Sequence, residues 1–275
     1  MNQPSAPARF RDTVMNLEES RIREVANAGM GQSDVLAFWF GESDEPTPDI
    51  VRQAAIASLQ AGETFYSHNL GLPELREAVA QYMQELHGSA IGPERVAITS
   101  GGVNALMLAF QALIVPGDEV VAVTPVWPNL TAQPLIMGAT LRCVSLRPQQ
   151  GQWGLDLQAL LDAITPATRV LVLNTPNNPT GAAITTDEFH NVMARIPDNV
   201  LVILDEAYAE FSHDPEIVCG KKVTGQYPNV VTLRTFSKAY GLAGLRIGYG
   251  IGPASIFQAA TSTAIPIPST RTATA

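Results

Sequence analysis

The feature that most constrains the fold is an alternation of short apolar runs with segments of helical spacing, from residue 96 onward. The runs are continuous and rich in Val, Ile and Leu, which is typical of parallel strands covered on both faces. The predicted strands are residues 96–99, 119–123, 141–146, 169–174, 200–205, 230–233 and 246–251. The pattern therefore predicts an α/β fold, with a mostly parallel seven-stranded sheet sandwiched by helices.

The chain before residue 96 predicts helices and one more strand. Apolar residues recur at helical spacing over residues 13–30, and helices are also expected over residues 46–60 and 72–87. The apolar run at 35–40 predicts a short buried strand. Between the later strands, Thr185 or Thr186 is the expected N-cap of a helix that starts near residue 186.

Three regions are expected from these patterns. Residues 1–45 form an N-terminal arm and a segment of a small domain, residues 46–258 form the large domain, and residues 259–275 form a tail. The tail is rich in Ala, Thr and Pro and has no amphipathic period. We therefore expect it to be disordered.

Composition excludes several classes of function. The net charge of −9 and the pI near 4.9 argue against nucleic acid as a main partner, because no basic surface is available for phosphates. Cys143 and Cys219 lack neighbours at metal-ligand spacing, so no metal site is predicted. Two free thiols are the simpler interpretation, and a disulfide stays open. Without an apolar leader or a long apolar run, we expect a cytoplasmic protein with no membrane contact.

Polar residues that follow the strands are the candidate ligand-binding residues, because ligands of such folds bind at the carboxyl ends of the strands. Gly101 and Gly102 precede a helix, where exposed N–H groups suit a phosphate, although an empty strand-to-helix turn fits equally well. Trp127 is either a core aromatic or a platform for a flat ring. Asn178 is either a ligand contact or part of a turn.

Asp205 and Lys238 are harder to explain as plain structure. Asp205 follows five apolar residues, and a carboxylate at a buried strand end needs a cation or hydrogen-bond donors. Lys238 is one of only three lysines and lies in a segment rich in hydroxyl and apolar residues. Alone it fits a surface lysine, but burial there would lower the pKa of the amine and favour a nucleophile. Together these residues meet the requirements of pyridoxal 5′-phosphate.

Three motifs resemble the class I and II aminotransferases of the aspartate aminotransferase fold (fold type I of the pyridoxal-phosphate enzymes). They are Asn-Asn-Pro-Thr-Gly at 177–181, Asp-Glu-Ala-Tyr at 205–208, and Ser-Lys at 237–238 followed by Arg246. The resemblance covers residues 13–258. Its N-terminal part is similar to the aspartate and aromatic branch, and the residues after about 180 are similar to histidinol-phosphate aminotransferase.

The resemblance implies which residues contact the ring of the cofactor. Lys238 would form the Schiff base with pyridoxal phosphate and then transfer the proton. Asp205 would pair with the pyridine nitrogen, and Tyr208 and Asn178 would bond the ring oxygen. Trp127 would stack on the ring face. Lys238, Asp205 and Tyr208 are thus the implied catalytic residues.

The resemblance also implies a phosphate site and contacts to substrate. The implied phosphate ligands are Gly102 and Val103 through their backbone, Thr235, Ser237 and Arg246. Tyr66 is similar to a tyrosine that reaches the phosphate in the partner subunit, which implies a homodimer. Gly41 and Asn178 would lie near the carboxylate of the substrate.

The activity implied is transfer of an amino group between an amino acid and a 2-oxo acid. The family continues into a small domain with an arginine that binds the substrate carboxylate, and Arg271, in the tail, is the only arginine after Arg246. We therefore expect a truncated aminotransferase with weak or no transamination. Alternatives are a histidinol-phosphate aminotransferase, a lyase or decarboxylase with the same cofactor, and a non-catalytic remnant that binds the cofactor.

Overall fold

A computed structural model describes residues 10–87, 91–149, 151–223 and 225–261 of the chain. Its strands are β1 (Val96–Thr99), β2 (Glu119–Thr124), β3 (Thr140–Ser145), β4 (Arg147–Gln149), β5 (Gln152–Gly154), β6 (Thr168–Asn174), β7 (Leu201–Asp205), β8 (Val230–Thr235) and β9 (Gly248–Ile251). Seven of them form one sheet in the order β1-β9-β8-β7-β6-β2-β3.

The sheet is mostly parallel, as the sequence predicts. Strands β3, β2, β6, β7 and β8 run in one direction. Strand β9 is antiparallel to both β8 and β1, so it is the one reversed strand of the sheet. The carboxyl ends of β6, β7 and β8 therefore meet at one edge, where the predicted site residues follow.

The described residues also form ten helices, some of which cover the two faces of this sheet. They are α1 (Asp12–Met15), α2 (Arg21–Gly29), α3 (Asp49–Gln60), α4 (Pro73–His87), α5 (Gly102–Leu113), α6 (Asn129–Met137), α7 (Leu157–Asp162), α8 (Thr186–Met193), α9 (Gly220–Val223) and α10 (Ala254–Thr261). Thr185 caps α8 as predicted, and its exchange of hydrogen bonds with Glu188 is a capping box. No helix of the described residues is long and apolar enough to cross a bilayer.

Alternate residues of the central strands point to opposite layers. Leu171 and Leu204 pack in the layer with Phe189 of α8. Val172 and Ile203 pack in the layer with α5 and α6. Both faces of β6 and β7 are therefore buried, which explains why these strands have continuous rather than alternating apolar sequence.

Several details of the sequence prediction are wrong. The run at 35–40 forms no strand; it is irregular, and Leu36 and Phe38 are 79% and 87% exposed, because no neighbouring strand pairs with it. The segment 13–30 forms two short helices instead of one. The β4–β5 hairpin was not predicted, since its residues are polar and include Pro148. The predicted tail starts too early because α10 continues to Thr261, and residues 262–275 lie outside the described part.

The sequence makes one prediction about the two cysteines and one about metal sites. Within the part of the chain that the structure describes, neither Cys143 nor Cys219 is in a disulfide, which confirms the interpretation as two thiols. Across residues 10–87, 91–149, 151–223 and 225–261, no group of three or more His, Cys, Asp or Glu side chains is arranged to hold a metal ion.

Replacing Gly248 with alanine is expected to destabilise the fold by about 1–3 kcal/mol, the usual cost of overpacking. A Cβ at this position would lie 2.7 Å from Gly101 C and Gly102 N and 2.9 Å from Arg234 O. All three are backbone atoms of the sheet edge, so they cannot move aside cheaply. Urea unfolding measures the loss. Gly225→Ala is the control, because nothing lies within 4 Å of its Cβ, and an equal loss there would contradict the steric cause.

Candidate functional site

Three neighbouring strands end in polar residues at the same edge of the sheet. Asn174 ends β6, Asp205 ends β7 and Thr235 ends β8. Asn174 and Asp205 are register partners, and Asp205 is paired in turn with Leu233 of β8. The parallel register therefore brings the predicted motifs together, although they are separated by about 30 residues along the chain.

A hydroxyl, an amide and an amine converge just beyond these strand ends. Asn178 Nδ2 donates to the hydroxyl of Tyr208 at 3.2 Å. Lys238 Nζ lies 5.6 Å from the centre of the Tyr208 ring. A Cβ on Gly41 would lie 3.0 Å from the Tyr208 hydroxyl and 3.8 Å from Lys238 Nζ. The N-terminal segment therefore passes close to this cluster, and a Cβ at residue 41 would crowd the Tyr208 hydroxyl.

Asp205 is poorly compensated in its partly buried position. Burial raises the pKa of Asp205 to about 6, the hydrogen bond from Ala207 N–H at 3.2 Å and the charge of Lys238 lower it, and the neighbouring Glu206 raises it. The carboxylate is therefore costly to ionise here. It would be stabilised by a cationic N–H donor placed against it, which is what the sequence predicts that it meets.

Asp205→Asn is expected to stabilise the ligand-free protein. The gain in free energy of unfolding should be about 1 kcal/mol larger at pH 8 than at pH 5. The pKa of Asp205 is higher in the folded protein, about 6, than the ordinary 3.8. Its contribution to stability is therefore greatest at low pH and is lost as the pH rises through 6. Asparagine keeps the acceptor for Ala207 N–H and removes this dependence.

Urea unfolding at the two pH values measures this difference. Asp214→Asn is the matched control, because Asp214 is an exposed carboxylate that also accepts the N–H of the second residue after it, Glu216. An Asp205→Asn difference that is the same at both pH values would contradict the assigned burial.

A second cluster has the features of an anion site. Gly101 precedes α5 with a φ of 80°, and a Cβ there would lie 2.8 Å from Arg246 Nη2. The guanidinium therefore lies against the start of the helix, where free N–H groups and the helix dipole already favour an anion. Arg246 has a left-handed backbone, φ 56°, and its Nη1 donates to Ala243 O at 2.8 Å. Strain of this kind at a non-glycine residue is concentrated at functional positions.

Thr235 and Ser237 are bonded to each other directly after β8. Thr235 Oγ1 and Ser237 Oγ are 2.9 Å apart, and Ser237 N–H donates to Thr235 Oγ1 at 3.1 Å. These bonds fold the chain sharply after β8 and lead directly to Lys238. The segment between the strand end and Lys238 thus carries two hydroxyl groups.

Trp127, Val103 and Tyr66 are three further predicted site residues. Trp127 is half-buried against the core layer that contains α5 and α6. The carbonyl of Val103, in the first turn of α5, accepts from Gln133 Nε2 at 3.1 Å. Tyr66 is 92% exposed and stands away from the core, as a residue that acts in a partner subunit would.

Sequence reasoning missed a buried ionic cluster directly behind the site. Arg234 bonds to Glu206 at 2.8 Å and to Glu210 at 3.1 Å. Glu206 follows Asp205, and Arg234 precedes Thr235. Charged residues inside apolar strand patterns are the signal that could have found this cluster, because a charge on a buried strand needs a partner.

The chain matches the sequence model described as "Aminotransferase class I and II" over residues 33–275. It is 35% identical to aspartate/prephenate aminotransferase of Thermus thermophilus over 231 residues, which cover 83% of this chain and 59% of that relative. It is 37% identical to an aromatic amino acid aminotransferase of Corynebacterium efficiens over 224 residues, 80% of this chain and 61% of that relative. The chain thus spans about three-fifths of the length of these relatives.

Solved structures agree with the sequence comparison. A single mutant of Thermus thermophilus aspartate aminotransferase superposes with a TM-score of 0.86 at 30% identity, covering 98% of this chain and 72% of that one. Aspartate aminotransferase of Rhizobium meliloti superposes with a TM-score of 0.87 at 28% identity, covering 98% and 70%. By its sequence match and its fold, the chain belongs to the class I and II family of pyridoxal-phosphate-dependent aminotransferases.

Proposed function

We propose that this chain binds pyridoxal phosphate at the strand-end site and transfers an amino group between an amino acid and a 2-oxo acid. The observation that carries the proposal is the convergence of Lys238, Asp205 and the Tyr208–Asn178 pair at one edge of the sheet. These groups have no evident structural need for one another. They supply an amine, a carboxylate and a neutral donor–acceptor pair, which match the aldehyde, the pyridine nitrogen and the phenolic oxygen of the cofactor.

The residues fit the cofactor on two further grounds. Asp205 is short of a cationic donor, which the protonated pyridine nitrogen would provide. The space beside Lys238 and Tyr208 exists because residue 41 is a glycine, which leaves room for a planar group near the amine. When bound, pyridoxal phosphate supplies an electron sink that stabilises negative charge at the reacting carbon.

Each of the chain's own residues then has a defined task. Lys238 Nζ would hold the cofactor and would carry a proton to and from the substrate. Asp205 would keep the pyridine nitrogen protonated, and Tyr208 with Asn178 would lower the basicity of the nearby nitrogen through the phenolic oxygen. Trp127 would cover one face of the ring. Asp205, Tyr208 and Lys238 are thus the proposed catalytic residues.

The phosphate is proposed to occupy the second cluster. Arg246 and the first N–H groups of α5, from Gly102 and Val103, would bind its charge, with hydroxyl donors from Thr235 and Ser237. A fixed guanidinium at a helix N-terminus binds a dianion well because both partial and full charges act on it. Gly41 and Asn178 are proposed to face the carboxylate of the substrate.

The amino donor and the amino acceptor are proposed only as classes of compound. The relatives above are named for aspartate, prephenate and aromatic amino acids, so these are the donors and acceptors to test first. The likeness of residues after about 180 to histidinol-phosphate aminotransferase stays a prediction. A non-catalytic cofactor-binding protein is the alternative to be separated by experiment.

The test separates cofactor capture from amino-group transfer. Pyridoxal phosphate is added to the purified chain, sodium borohydride fixes it to the amine, and peptide mass spectrometry identifies the labelled lysine. Aspartate or phenylalanine is then supplied with 2-oxoglutarate, and glutamate is measured. Label on Lys238 with glutamate formation supports the proposal. Label on Lys238 without transfer from any donor favours the non-catalytic alternative, and failure to label Lys238 overturns the site.

We also propose that the protein acts as a homodimer. Helix α3 has no buried residue, and the adjacent Phe65 and Tyr66 are 88% and 92% exposed. An apolar and aromatic surface of this kind is typical of an interface. Tyr66 would then reach the phosphate site of the second subunit. Sedimentation analysis with cofactor present tests the proposal, and a monomer that binds the cofactor at full affinity would overturn it.

A further inference from the structure

Asn174 joins the two halves of the cofactor site through its side chain. It is 7% exposed and ends β6, beside Asp205 in the register of the sheet. Its Nδ2 donates to the carbonyl of Asp205 at 3.0 Å, and its Oδ1 accepts the N–H of Asn178 at 2.7 Å. One buried amide therefore connects the end of β7 to the turn that carries Asn178.

The connection continues to the hydroxyl of Tyr208. Asn178 uses its backbone N–H toward Asn174 and its side-chain Nδ2 toward Tyr208, at 3.2 Å. The carbonyl of Asp205 also accepts from Thr175 N–H at 3.0 Å, so the end of β7 is held at two points. The side chain of Asn174 thus lies on the path between the carboxylate residue and the hydroxyl–amide pair.

The path of hydrogen bonds through Asn174 matters because the ring of the proposed cofactor is rigid. The pyridine nitrogen and the phenolic oxygen of the proposed cofactor are at a fixed distance on one plane. The protein must therefore hold their two partners at a matching separation, since small misplacements weaken both contacts together. The register of β6 with β7 ends at Asn174 and Asp205, and the bond from Thr175 N–H to Asp205 O follows it. Beyond these backbone contacts, the side chain of Asn174 connects the end of β7 to Asn178.

We propose that Asn174 is a positioning residue that fixes the separation between Asp205 and the Asn178–Tyr208 pair, and thereby the orientation of the bound ring. The effect on the bound ring rests on the proposed function, whereas the hydrogen bonds of Asn174 do not. Asn174 does not contact the reacting atoms. It acts by holding Asn178 and the end of β7.

The chain offers a matched control at the opposite end of the sheet. Asn229 is also 7% exposed, and its Nδ2 donates to a backbone carbonyl, that of Val200, at 2.9 Å just before β7 begins. Its replacement should therefore cost stability in the same way as replacement of Asn174. It should leave the strand-end site unchanged, because it lies at the amino end of the strands.

The experiment compares Asn174→Ala, the milder Asn174→Asp and Asn229→Ala. Hydrogen exchange of the Asn178 amide is measured first without cofactor. Asn174→Ala is expected to speed this exchange about tenfold, as expected for loss of a buried hydrogen bond. Asn174→Asp keeps an acceptor for Asn178 and should stay near the wild-type rate, as should Asn229→Ala. Equal acceleration in Asn174→Ala and Asn229→Ala would overturn the positioning role.

Cofactor binding gives the second measurement. Asn174→Ala is expected to weaken pyridoxal phosphate about tenfold and to shift the pH at which its bound absorption changes, since the phenolic oxygen loses an ordered partner. Asn229→Ala should change neither. Unchanged affinity and pH titration in Asn174→Ala would overturn the inference. If the wild type itself binds no cofactor, the proposed function fails, and the exchange of Asn178 still decides the role of Asn174.

Discussion

Replacing Arg234 with methionine is expected to lower the free energy of unfolding by about 3–5 kcal/mol, the usual cost of removing one partner from a buried ion pair. The side chains of Arg234 and Glu206 are only 2% and 1% exposed, and their closest N–O distance is 2.8 Å. Methionine fills similar volume but leaves Glu206 charged and buried. The loss therefore comes from the stranded carboxylate more than from packing.

Arg234 and Glu206 make further contacts within this buried cluster. Burial alone would lower the pKa of Arg234, but the charges around it, Glu206 above all, raise the pKa well above its usual value. Arg234 Nη2 also lies 3.2 Å from Cys219 Sγ, and Gly220 N–H donates to Glu206. Arg234 thus neutralises a carboxylate that the fold already uses to hold the start of α9.

Urea unfolding followed by circular dichroism measures the effect. Arg52→Met is the control, because the Arg52–Asp49 pair has a similar distance, 3.0 Å, but its side chains are 52% and 69% exposed. Such surface pairs contribute little. The double variant Arg234→Met/Glu206→Gln should recover part of the loss, since only the less buried Glu210 then lacks its partner. An Arg234→Met variant as stable as Arg52→Met would contradict the assignment.

The sheet could be predicted from sequence because its signal is local. The continuous apolar runs at β6 and β7 reflect burial on both faces, and Thr185 with Glu188 marks a helix start within four residues. The run at 35–40 gave a similar signal but has no strand to pair with, which only the tertiary structure decides. The β4–β5 hairpin has polar residues on both strands, so periodicity could not find it.

The sequence predicts which polar residues meet at the strand ends. It does not predict which buried charges pair with each other. Asp205 and Lys238 stand out as polar residues in apolar surroundings, and the structure brings both to one edge. The Arg234–Glu206 pair joins residues 28 positions apart, and nothing local tells which carboxylate the guanidinium meets. The left-handed backbone of Arg246 was likewise missed, because residues other than glycine give no sequence sign of positive φ.

Replacing Lys238 with alanine is expected to abolish covalent capture of pyridoxal phosphate and to reduce any amino-group transfer about 10²–10⁴-fold, the usual contribution of a positioned proton carrier. Lys238 is half-buried, and its Nζ lies 5.6 Å from the centre of the Tyr208 ring, so its loss should leave the fold intact. Asp205, Asn178 and Arg246 remain in place. Reversible binding of the cofactor should therefore persist while covalent capture does not.

Borohydride fixation with mass spectrometry, and equilibrium binding of pyridoxal phosphate, measure the two effects separately. Lys222→Ala is the matched control, because Lys222 is an exposed lysine on α9 whose Nζ donates to a backbone carbonyl, that of Pro215, at 3.3 Å. Capture should be unchanged there. Because the residue that captures the cofactor covalently is not among those that bind it reversibly, Lys238→Ala should lose covalent capture and keep reversible binding. A variant that still becomes labelled, or that loses all reversible binding while folded, would contradict this division of tasks.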